Sequence, residues 1–134
     1  MLFPDPKLTV KPGAGGLANL DSYFWISGPF TQSVTAIAGP NQVTVDATAT
    51  SYEWRFGDGS APLVTGVPGR PWPARSEIVH AYRQLGRFPV QVTVRWQGRF
   101  RVNGGPSQAV PGPPVVRSST VTYPVRELQT VLTG

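Results

Sequence analysis

Among its 134 residues this chain has seven acids, one histidine and no cysteine. On residue types, the nearest approach to a catalytic set is Ser60, Asp58 and His80, the hydroxyl, carboxylate and imidazole of a nucleophilic triad. No nucleophile elbow or oxyanion loop accompanies them. The chain is therefore read as non-enzymatic, with no catalytic residue and no cofactor. Asp46, Asp58 and Asn41 offer the hard oxygen donors that calcium takes, but they are not spaced as a loop ligand set, so no metal site is expected. The absence of cysteine also removes disulfides and thiolate sites.

Binding chemistry is better supplied. Trp72 stands among prolines beside Arg70 and Arg75, in a Pro- and Gly-rich stretch from Ala61 to Pro73 that cannot be a central strand. The formal charge is +5, and no acid occurs between Glu77 and Glu127, where Arg83, Arg87, Arg95, Arg99, Arg101, Arg117 and Arg126 lie. A positive surface follows if these side chains share a face; Arg95, Arg99 and Arg101 are the binding candidates there. Such a surface suits an acidic protein, an anionic glycan or a wall polymer. Nucleic acid is not expected, because no aromatic platform is interleaved with the arginines.

The elements that must position these residues are strands. Fifteen glycines and fifteen prolines, with 14% charged residues, mark short strands joined by many turns in a single all-β domain. Tyr52, Trp54 and Phe56 alternate with Glu53 and Arg55 and run into the turn Gly57-Asp58-Gly59-Ser60, whose carboxylate is placed to accept backbone hydrogen bonds. Thr31–Ala38 and Val43–Ala49 are expected to form a hairpin across Gly39-Pro40-Asn41-Gln42. Phe88, Val90, Val92, Val94 and Trp96 form an apolar row expected to face Trp54 across the core, and Gln97–Val102 continues it as an edge strand. Residues 1–16 read as an extended arm in which Leu8 and Val10 form a short edge strand. Residues 17–134 form the domain, with a second long loop over Asn103–Pro114, a strand over Val115–Val125 and a last strand over Arg126–Leu132. No run of about 20 apolar residues spans a membrane.

Tyr52–Ser60 with Trp54, Phe56, Gly57, Asp58 and Gly59, then His80-Ala81-Tyr82, Gly86-Arg87-Phe88 and the alternating Val90–Val94, resembles the polycystic kidney disease (PKD) domain over roughly Asn41 to Trp96. The resemblance implies an immunoglobulin-like β-sandwich in which His80 and Tyr82 are framework residues. It implies a non-catalytic extracellular or cell-surface module, bacterial surface proteins included, whose signal sequence has been removed. The insert Pro62–Glu77 and the extension beyond Trp96 depart from the family pattern.

The function expected is a structural or adhesion module making protein–protein contacts with surface proteins or copies of itself. One form of it is a surface filament assembled through edge strands and terminal arms, Leu8–Val10 or Gln129–Leu132 adding to a neighbour's edge. The alternative is a carbohydrate- or wall-polymer-binding accessory module, which needs an exposed row made from Trp25, Trp72 and Trp96.

Overall fold

The structure, a computed structural model, describes residues 3–127. Period-two alternation is realised as ten strands with no helix among the described residues. A three-stranded sheet has the order β1 (Lys7–Lys11), β3 (Asp21–Ser27), β7 (Ile78–Ala81). A seven-stranded sheet has the order β2 (Gly16–Leu17), β10 (Val115–Arg126), β8 (Gly86–Val102), β5 (Asn41–Arg55), β4 (Thr31–Ala38). Two short strands lie off that path, β6 (Leu63–Thr65) on β5 and β9 (Gln108–Ala109) on β8. The two sheets face each other as the immunoglobulin-like sandwich that the sequence implied.

β4 and β5 pair as the expected hairpin, but the connection is only Gly39, at φ 61°, and Pro40: Asn41 and Gln42, expected in the turn, are already paired with Ala38 and Ile37. The motif strand is not a separate element. β5 runs fifteen residues from Asn41 through a bulge at Thr50 to Arg55, joining the hairpin to Tyr52, Trp54 and Phe56. The bulge shifts the register by one, so Ala47 and Ala49 below it share the inner face with Tyr52 and Trp54 above it.

Two expectations about strand placement are corrected. Trp54 lies directly opposite Val92 on the adjacent strand of the same sheet, so the β8 row flanks it rather than facing it. Phe24 and Ile26 from β3, Leu8 and Val10 from β1 and Ile78 from β7 form the opposing layer of the core. Gln97–Val102 is not an edge either: β5 pairs it on one side and β9 begins to pair it on the other. Both corrections have one cause. β5 and β8 are long enough to run side by side from Val43 opposite Val102 to Arg55 opposite Gln91, which leaves β8 central.

Trp54, Phe24, Ile78, Val90 and Val92 are fully buried. Each such side chain contributes about 1.5–3 kcal/mol to folding. Leu8 and Val10 belong to the core and β1 is hydrogen-bonded to β3, so the second half of the N-terminal segment is built into the small sheet. Most of the strand expected over Arg126–Leu132, including the arm Gln129–Leu132, lies outside the described residues.

Candidate interaction surface

The Gly57–Ser60 turn is locked from within. Asp58 Oδ1 accepts from the Ser60 amide at 3.1 Å and from the Ser60 hydroxyl at 2.5 Å, while Oδ2 lies 2.7 Å from His80 Nε2. Burial alone would push the Asp58 carboxyl up; the Ser60 hydroxyl, His80, the Ser60 amide and the attraction of the imidazole outweigh it and bring the carboxyl down to about 2. Toward an ionised Asp58 the imidazole donates from Nε2. The carboxylate therefore stands between serine and histidine, and the histidine does not reach the hydroxyl it would have to activate. This order is not that of a triad, in which the histidine is the middle member.

His80 lies flat on Phe56 with 4.2 Å between centroids, and Tyr82 meets it edge-on at 4.8 Å. Tyr82 donates its hydroxyl to the Phe56 carbonyl at 2.8 Å, and its burial pushes the phenol well above its ordinary value. The motif residues Trp54, Phe56, Gly57, Asp58, Gly59, His80 and Tyr82 thus form one packed framework across the end of β5 and β7. Trp54 extends it by donating Nε1 to Thr65 Oγ1 at 3.0 Å, which holds β6 in place.

Asp46 and Asp58 lie a dozen residues apart on extended chain, on the order of 35 Å, and cannot share an ion. Asp46 accepts from Ser33 and pairs with Arg101, while Asn41 accepts from Asn103.

The insert Pro62–Glu77 begins as β6 on the large sheet, and its later part, from Pro68 to Ser76, lies against β3 of the small sheet. The Pro68 carbonyl accepts from the Ile26 amide, and the Ser76 hydroxyl, itself buried, donates to the Phe24 carbonyl at 2.5 Å. Trp25 is buried beneath this cover. Trp72 packs on Tyr23 with centroids 5.9 Å apart, carries Lys11 over its ring and remains 46% exposed; Arg70 beside it pairs with Glu77. Trp72, Arg70 and Arg75 therefore sit on one side of the sandwich. Arg95, Arg99 and Arg101 project from alternate positions of β8 on the outer face of the large sheet, which is the other side. The six binding candidates form two groups, not one surface. Two of the three in the second group are engaged internally, Arg99 with Ser107 and Arg101 with Asp46. Trp25 and Trp96 are both buried, so the three tryptophans make no exposed row.

A cleft of about 600 Å³ lies beside β8 under the Val110–Val115 loop. Its charged lining is Asp46 and Arg99, each already bound within the chain, so it brings no ionisable groups together on a reacting centre.

Sequence reasoning missed an exposed apolar region of the large sheet. β5, β8 and β4 run on past Ala47 and Trp96, where the small sheet no longer covers them. There the inner-face residues Val34, Ala36, Val43, Val45, Phe100 and Val102 are half-buried or exposed. On the opposite face Ile37 is 81% exposed. β4 is paired with β5 alone, so its other side is a free edge. The signal available was the lack of any charge from Phe30 to Asn41, which reads equally well as a buried strand.

The two facing sheets and the locked aromatic turn define an immunoglobulin-like domain. The chain belongs to the PKD domain family, which matches residues 23–97. Domains of this family are typically extracellular and mediate protein–protein contacts. No curated protein and no solved structure was found to match the chain. None of the described residues forms a helix long and apolar enough to cross a membrane.

Proposed function

We propose that this chain is a structural or adhesion module of the cell exterior that binds other proteins through the part of its large sheet that outruns the small one. The observation that carries the reading is the conjunction, in one place, of a free edge on β4 and an uncovered apolar inner face on β4, β5 and β8. A free edge offers unpaired backbone donors and acceptors, and the adjacent apolar positions give a bound strand or surface something to bury. Trp72 with Arg70 and Arg75, and the column Arg95, Arg99 and Arg101, are secondary contacts on the two outer faces. The carbohydrate alternative is left with Trp72 alone, one aromatic where a stacking row was required.

Site-specific photo-crosslinking in the producing cell tests this. A benzophenone side chain at position 37 is expected to give protein adducts, and the same probe at Arg87, exposed at the far end of β8, is expected to give far fewer. Equal yields at the two positions, or none at 37, would remove the overhang as the contact surface.

A further inference from the structure

Edges are where sheet proteins aggregate, and they are normally kept short or guarded by charge or proline. Among the described residues the other edges are short or guarded; β10, paired with β2 only at Val125 and Arg126, leaves an open side from Val115 that carries Arg117 and ends in Pro124. β2 and β9 have two residues each, β6 three and β7 four. β1 carries a lysine at each end and is flanked by Pro6 and Pro12. β4 has eight residues, Thr-Gln-Ser-Val-Thr-Ala-Ile-Ala, with no charge and no proline, on a chain with a net charge of +5.

The direction of its backbone groups follows from its neighbours. The Gln42 amide donates to Asn103 Oδ1 and the Gln42 carbonyl accepts from the Asn103 amide, so Gln42 faces the β8 side. By alternation Asn41, Val43 and Val45 face β4, and their partners Ala38, Ala36 and Val34 face back. The N–H and C=O groups of Thr31, Ser33, Thr35 and Ile37 therefore point out of the free edge.

We infer that the β4 edge pairs antiparallel with the β4 edge of a second copy of this chain, on a twofold axis through Val34. The inference rests on the overhang being the contact surface and names its partner. In this register Thr31 faces Ile37 and Ser33 faces Thr35 of the other copy, with two hydrogen bonds for each facing pair. No other register that respects the twofold and the alternation uses all four outward-pointing residues of both copies.

The side chains agree with it. Small or β-branched residues oppose one another and no like charges meet. The nearest acid, Asp46, is already held by Ser33 and Arg101. The edge is thus the place where two molecules of the same positive charge meet without local repulsion. Pairing also aligns the two uncovered inner faces, Val34, Ala36, Val43 and Val45 of each copy, into one continuous apolar strip. Because the contact is isologous it consumes the edge and closes. It makes a dimer, and growth into a filament would have to use another edge, such as the open side of β10.

The chain has no cysteine, so one introduced thiol reports the contact directly. Across a twofold at Val34 the two Cα atoms of a Val34→Cys variant would lie about 4.5 Å apart, within disulfide range. In an Ala36→Cys variant the two thiols would be offset by four residues along the strands, on the order of 13 Å. Purified wild type is expected to sediment as a concentration-dependent dimer. Mild oxidation is expected to convert most of the Val34→Cys variant to covalent dimer and little of Ala36→Cys, and Thr35→Lys is expected to sediment as monomer with an unchanged circular dichroism spectrum.

A wild-type monomer at every concentration, or equal crosslinking of the two cysteine variants, would overturn self-pairing. If a monomer in vitro were accompanied by position-37 adducts of foreign mass in the cell, the proposed function would stand with a different partner. If position 37 gave no adducts at all, both would fall.

Discussion

The Nε2 atom of His80 lies 2.7 Å from Oδ2 of Asp58. The contact joins β7 to the turn that ends β5, so the two sheets are tied together at one end by a carboxylate held at about 2. The unfolded chain would titrate this group at about 3.9. A carboxyl with a lowered folded-state pKa contributes stability that is present above its unfolded value and is lost as pH falls through the folded value. The melting temperature of the wild type is expected to drop across the window from about pH 4 to about pH 2. An Asp58→Asn variant is expected to start lower and lose less over that window, and parallel curves would show that Asp58 is not the group responsible.

The two glycines of the turn are not equivalent. Both have φ at 84°, but a side chain on Gly57 would strike the Pro89 backbone, with its carbonyl oxygen 2.6 Å away, whereas one on Gly59 would meet nothing within 4 Å. Gly59→Ala then costs only the left-handed conformation, about 1–2 kcal/mol. Gly57→Ala is expected to cost clearly more, because rigid backbone has to move as well. Urea unfolding of the two variants checks the order.

Tyr82→Phe keeps the ring stack on Phe88 and removes only the donor to the Phe56 carbonyl. A buried acceptor left without its partner costs about 1–3 kcal/mol. The loss should appear as a lower denaturation midpoint at an unchanged m-value, since the unfolded chain is the same size.

Ser76 is the single buried hydroxyl that fastens the long insert to β3, donating to the Phe24 carbonyl and accepting from the Ile78 amide. Ser76→Ala should loosen the cover over Trp25 before it unfolds the sandwich, because the core cluster lies on the other face of β3. Faster proteolysis within residues 62–77, with little change in global stability, is the expected result. A large fall in global stability instead would mean the insert is part of the cooperative core.

The sandwich class, the pairing of Thr31–Ala38 with Val43–Ala49 as a hairpin and the motif turn were legible in the sequence because each depends on residues close together in the chain. Alternation names the side chains that share a face, and glycine spacing with an aspartate names a tight turn. The reach of β5 and β8 was not legible. Thr50 interrupts the alternation, and a bulge that restores the face looks in sequence like the end of a strand. The placement of Trp54 beside Val92 was misjudged for a related reason: an apolar row shows that it is buried, not whether its neighbours lie in the same sheet or the opposite one.

The candidate surface divides in the same way. Trp72, Arg70 and Arg75 could be picked out as a group because they are adjacent in sequence, and Arg95, Arg99 and Arg101 because β8 alternates. That the two groups lie on opposite sides of the sandwich, and that Trp25 and Trp96 are covered, depends on how the insert and the N-terminal segment fold back.

The uncharged run Thr31–Ala38 was visible from the start, yet its sequence suits a buried strand as well as a bare edge. Sequence by itself determined which side chains along the main strands point together, since that follows from local backbone geometry. Only the tertiary structure decided that β4 ends the sheet and that the small sheet stops short of it, because coverage depends on the relative lengths and registers of strands far apart in the chain.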